Sequence, residues 1–194
     1  MTITNEIAQI PVRLDFDSLA VGYSRAMGHL DHAATKELDK AEIDPKLREL
    51  IRIRASQVNG CAYCIDVHTK DARAIGETEQ RLYGLAAWRE TPYFTPRERA
   101  ALASTETVTR LSETHVPGQA YQDVAAEFSP LQVAALVSLI VTINAWNAIG
   151  VSNPRLGARL LYPVVMRPGT AAAGPRPARP RPPRRPARRG PATG

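Results

Sequence analysis

Apolar residues recur at helical spacing along most of the chain, while the alternating runs that mark strands are nearly absent. Asp17 can cap a first helix running to about Lys36, with Leu19, Tyr23, Ala26, Met27 and Leu30 on one face. Asp44-Pro45 is a capping residue followed by proline at the first helical position. It opens a helix whose stripe is Leu47, Leu50, Ile51, Ala55 and Val58, and which stops at Gly60. A further helix starts at once at Cys61 and runs to Ile75, with Gly76 as its stop.

Thr78 opens a helix containing Leu82, Leu85 and Trp88, which Pro92 ends. Thr95-Pro96-Arg97-Glu98 has the form of a capping box, ahead of Leu102, Val108 and Leu111. Pro117-Gly118 precedes a short helix with Tyr121, Val124 and Phe128, and Ser129-Pro130 starts a long apolar one. The stretch from Leu131 to Val151 is long enough to span a bilayer, but Gln132, Thr142, Asn144 and Asn147 interrupt it. Polar groups are costly in lipid, so a buried central helix is expected. About seven helices with short connections predict an all-α bundle.

The pattern ends near Gly150. Of 194 residues, the first 150 form the expected helical domain, and 151–194 read as a low-complexity Arg/Pro/Ala/Gly tail, expected to be disordered. The net charge of +6 arises there: up to Gly150 there are 15 Lys+Arg against 19 Asp+Glu, and ten arginines follow. A nucleic-acid partner is therefore not expected of the folded part and could act only through the tail. The tail reads either as an arginine-rich arm or as GC-rich codons in a shifted frame, and its bias speaks for composition before function. The N-terminus carries Glu6 and Asp15 and no apolar run, so neither a leader nor a membrane anchor is expected, and the setting reads as cytoplasmic.

Where thiols are kept reduced, Cys61-Ala62-Tyr63-Cys64 implies redox chemistry or metal binding, not a structural staple. Both cysteines fall in the first turn of a helix, where free N–H groups and the dipole favour a thiolate. Spacing of three places the sulfurs on one face, and His68 lies one turn beyond Cys64, at the reach of a general base. His68 also shares a stripe with Ile65, Ala72 and Ile75, as a satisfied core histidine would. Glu49, in a row with Ile53 and Gly60, could orient the imidazole, yet it lies off the apolar stripe and by pattern alone reads as solvated. A zinc set of Cys61, Cys64 and His68 completed by His29 or His32 is a further reading, disfavoured because structural zinc usually pins short ribbons. No Gly-rich phosphate loop follows a strand, so no bound nucleotide or flavin is expected.

Glu49, then Cys-x-x-Cys twelve positions on, then His68 four beyond Cys64, closely resembles the pattern of the alkylhydroperoxidase D (AhpD) family of the carboxymuconolactone decarboxylase superfamily. The similarity extends from about Leu14 to Asn147 and includes Asn-Ala-Trp-Asn at 144–147, although Ala148 stands where similar proteins usually have Arg. The resemblance implies an AhpD-like helical bundle of about six or seven helices, assembled as a homo-oligomer, trimer or hexamer. It implies hydroperoxide reduction, with Cys64 attacking, Cys61 resolving, and Glu49 and His68 relaying the proton of Cys64. The implied electron donor is a dithiol such as dihydrolipoamide or a lipoylated protein. Decarboxylation is not expected, because the superfamily's decarboxylases lack the cysteine pair. General disulfide exchange, or a non-enzymatic redox-sensing or zinc-binding module, remain the alternatives.

Overall fold

In the computed structural model, residues 11–154 are described, and every regular element among them is helical. A turn of helix α1 (Phe16–Leu19) leads into α2 (Val21–Lys40), followed by α3 (Pro45–Asn59) and α4 (Ala62–Ala74). Next come α5 (Glu79–Gly84), a 3₁₀ segment (Leu85–Glu90), α6 (Pro96–Thr109), α7 (Leu111–Thr114), α8 (Gly118–Glu127) and α9 (Pro130–Ser152). The all-α expectation is met. Of the tail expected over 151–194, Val151 and Ser152 belong to α9, and the Arg/Pro-rich segment from residue 155 onward lies outside the described residues.

The caps read at Asp44, Thr78, Thr95 and Ser129 are formed, whereas Asp17 lies inside α1 and does not cap it. Asp44 Oδ1 accepts the N–H groups of Lys46 and Leu47 at 2.8 and 3.2 Å. Thr95 with Glu98, and Ser129 with Gln132, make complete capping boxes with proline at the first helical position. Three expected helices are divided differently. The first breaks at Ala20 (φ −114°, ψ 48°) and continues to Lys40. The helix opened by Thr78 tightens into the 3₁₀ segment at Leu85, and Leu111 begins the separate turn α7. Of the expected apolar face of the first helix, Met27 is buried but Leu19, Tyr23, Ala26 and Leu30 are exposed, and the buried side is completed by Ala34 and Leu38.

Helix α3 lies between two apolar clusters. Leu47 and Ile51 join Leu38, Leu136, Leu139 and Ile140 on one side. Leu50 and Ile53 join Leu82, Leu85, Trp88 and Leu102 on the other. Helix α9 packs against α2, α3 and α6. Its length and mean hydropathy of 1.7 would suffice to cross a membrane, but in this fold it is the core helix, burying Val133, Leu136, Leu139, Ile140 and Ile143.

Candidate functional site

The site begins with the turn between α3 and α4. Gly60 closes α3 at φ 69°, in the left-handed region that costs glycine little. The chain then reverses so that Cys61 N–H bonds Ser56 O at 2.9 Å and α4 packs back along α3. Cys61 thereby becomes the N-cap of α4, its Sγ accepting the backbone N–H of Cys64 at 3.4 Å.

Both cysteines are free and buried, with their sulfurs 2.7 Å apart. Hydrogen bonding with Cys64 pulls the Cys61 thiol down, to about 7, against the opposing effect of burial, and the N–H groups of Cys64 and Tyr63 assist. Cys64 is pushed the other way by its bond to Cys61 and by burial. The pair thus gives up a first proton readily and holds the second tightly, and the Cys64 N–H at the helix start favours charge on the capping sulfur.

The second half of the site is a carboxylate–imidazole pair. Glu49 Oε2 lies 2.9 Å from His68 Nδ1, and Glu49 Oε1 pairs with Arg52. Burial pushes the Glu49 carboxyl up, but the hydrogen bonds and charges of His68 and Arg52 outweigh it and hold it below the ordinary value. A carboxylate at Nδ1 draws the ring N–H to that side and leaves Nε2 as the nitrogen able to take a proton. Pattern alone placed Glu49 in solvent, yet it is 8% exposed. The reason is that α4 folds back over that side of α3 and supplies His68 as its partner.

The site contains residues that sequence reasoning did not single out as functional. Asn147 on α9 is fully buried and donates to Ser56 Oγ at 3.0 Å, while its Oδ1 accepts from Asn59 at 2.9 Å. The Asn147 amide favours the charged form of both thiols. Gly150 lies against the same sulfurs: a Cβ there would come within 2.8 Å of Cys61 Sγ. Asn147 and Gly150 carry a detectable signal, since a polar residue and a glycine three apart interrupt an otherwise apolar helix on one side. Asp71 is a further addition, its carboxylate lying within 4.8 Å of the ligand atoms of Glu49 and His68. Those three could hold a cation, but the group contains neither cysteine. His29 and His32 are exposed on α2, so the zinc set read from the sequence is not assembled.

Residues 22–107, which include all four motif residues, match the carboxymuconolactone decarboxylase family. The uncharacterized protein YdfG of Bacillus subtilis (strain 168) is 45% identical over 117 residues, covering 60% of this chain and 80% of YdfG. The uncharacterized YnjA of Escherichia coli (strain K12) is 28% identical over 104 residues, 54% of this chain and 57% of YnjA. A solved protein of unknown function from Agrobacterium tumefaciens, proposed to be the antioxidant defence protein AhpD, superposes with a TM-score of 0.68 at 32% identity. That match covers 73% of this chain and 94% of the other. The debrominase Bmp8 shares the fold at 21% identity and a TM-score of 0.57, over 68% of this chain and 70% of its own. With the helical bundle, the paired thiols and the Glu–His dyad in place, this chain belongs to the carboxymuconolactone decarboxylase family as an AhpD-like member.

Proposed function

We propose that the protein is a thiol-dependent peroxidase that reduces hydroperoxides through a Cys61–Cys64 disulfide cycle and serves antioxidant defence in the cytoplasm. The observation that carries this reading is the contact between two buried thiols, 2.7 Å apart, on a helix whose next turn presents an imidazole held by a buried carboxylate. Cys64, the thiol that its partner and burial push up, is the one with a base four residues further along the helix.

In this scheme His68 Nε2 takes the Cys64 proton. The Cys64 thiolate attacks the terminal peroxide oxygen, the O–O bond breaks, and the alkoxide leaves as alcohol after taking a proton. Cys64 is then a sulfenic acid. The Cys61 thiolate attacks it, the disulfide forms and water departs. An external dithiol, of the class of dihydrolipoamide or a lipoylated protein, reduces the disulfide by exchange and is itself oxidised.

A homo-oligomer belongs to the same proposal. Helix α9 turns Leu131, Val137, Val141 and Val151 outward as well as burying its inner face, and an exposed apolar stripe of this length favours a second copy.

Turnover tests the activity. Purified protein with t-butyl hydroperoxide and excess dihydrolipoamide should consume peroxide and donor one for one, with no added metal, flavin or nucleotide. Rapid reduction of a disulfide substrate with no peroxide consumption would instead identify an exchange protein.

A further inference from the structure

We propose that Asn147 is a positioning residue for the thiol pair, its carboxamide fixed by Asn59 and Ser56 so that an N–H points at the sulfurs and holds the negative charge there. This rests on the reading of Cys61 and Cys64 as the reactive pair and adds a third helix to their site.

The orientation of the amide follows from its partners. Asn59 Nδ2 donates to both Asn147 Oδ1 at 2.9 Å and Asn144 Oδ1 at 2.6 Å. Asn144 is anchored in turn, its Nδ2 donating to Thr109 Oγ1 at 3.1 Å and to Ile140 O at 2.8 Å. Asn147 must therefore turn its oxygen toward Asn59 and its NH₂ away. One of those protons goes to Ser56 Oγ, 3.0 Å distant, and Ser56 spends its own hydrogen on Arg52 O at 2.7 Å. The second N–H of Asn147 is left for the sulfurs.

The backbone of α9 lies close enough for this. Gly150, one turn beyond Asn147, admits no Cβ, since that atom would stand 2.8 Å from Cys61 Sγ and 3.7 Å from Cys64 Sγ. Helix α9 carries no charged side chain, so Asn147 supplies polarity to the pair without competing charge. The ionisable groups grouped on the other two helices are Glu49 and Arg52 of α3 and His68 and Asp71 of α4, with Tyr63 packed beside the cysteines. A buried chain of amides is costly unless each member is satisfied, and here its last free donor meets the one group whose charge changes.

Asn147→Leu keeps the volume and removes the donor. Two readouts on reduced protein test it without peroxide: thiolate absorbance at about 240 nm against pH, and the rate of alkylation by iodoacetamide. A hydrogen bond to a charged sulfur is worth about tenfold or more in its ionisation. The thiolate midpoint should rise by about one pH unit, and alkylation near pH 7 should slow by roughly tenfold, with the deficit vanishing in strong alkali. Ser56→Ala should shift the midpoint less, in the same direction, and serves if Asn147→Leu loses its helical circular dichroism. Wild-type midpoints and alkylation rates in whichever of these variants fold would reduce Asn147 to a bolt between α3 and α9. Since neither readout uses peroxide, a shifted midpoint upholds this role even in a protein that turns over no peroxide.

Discussion

The buried carboxylate of Glu49 has one imidazole to orient, His68, and one permanent cation, Arg52, to balance it. Glu49→Gln keeps shape and hydrogen bonding but removes the charge that holds the imidazole with Nε2 free. Oxidation of Cys64 by peroxide should slow by about a hundredfold, a typical general-base loss. The deficit should shrink as pH rises and Cys64 ionises without help; stopped-flow thiol loss against pH checks this. His68→Gln should behave alike, and the double variant should be little worse than either, as for members of one relay. Gly150 gives a second test at this scale. Glycine to alanine inside a helix ordinarily stabilises by about 1 kcal/mol. Here the new methyl would press on Cys61 Sγ, which its capping role holds in place. Gly150→Ala should therefore lower the thermal midpoint, by roughly a few degrees. A rise would mean that α9 can retreat from the thiols at little cost.

Between elements, Glu106 does for the fold what Glu49 does for the site. It accepts from Arg54 of α3 at 2.7 Å, from the Trp88 indole at 2.8 Å and from Arg89 at 2.7 Å, tying α3 and the 3₁₀ segment to α6. Burial pushes its carboxyl up, but the indole and the two guanidinium groups bring it below the ordinary value of 4.5, as with Glu49. A depressed carboxylate adds stability that is complete above the unfolded value and is lost as pH falls through the folded one. The thermal midpoint should thus be flat from about pH 7 down to about pH 5 and fall below that. Glu106→Ala, which strands Arg54, should cost about 3 kcal/mol at neutral pH and flatten the acid limb, measured by denaturant unfolding. The caps at Asp44, Thr95 and Ser129 were legible because local chemistry decides them. Glu106 was not, since nothing local distinguishes a glutamate that meets partners fifty residues away from one in solvent. Glu49 was misjudged by pattern for the same reason, and only the four-residue spacing of the motif recovered it. Asn147 was visible as a polar break in α9, but its purpose depends on Asn59 and Ser56, which belong to a different helix.

At the scale of the molecule, the fold leaves α9 with an outer apolar stripe and α2 with Leu30 and Tyr23 exposed. If copies associate through the α9 stripe, Val141→Glu should shift the protein toward monomer on size exclusion with light scattering. The reduced thiol pair should be preserved there, because Val141 faces away from it. A wild-type monomer at tens of micromolar would remove the oligomer from the account.

The central claim is that Cys64 and Cys61 act in sequence on peroxide, and a thiol count tests it most directly. Reduced protein is mixed with one equivalent of t-butyl hydroperoxide, and free thiols and sulfenic acid are measured for the wild type, Cys61→Ser and Cys64→Ser. The account requires the wild type to lose both thiols per peroxide and regain them with dihydrolipoamide. Cys61→Ser should lose its one thiol and stop at a trappable sulfenic acid. Cys64→Ser should keep its thiol although Cys61 is the more acidic sulfur. If instead Cys64→Ser forms the sulfenic acid while Cys61→Ser stays intact, Cys61 is the attacking thiol, and if wild-type thiols survive the peroxide, the protein is not a peroxidase.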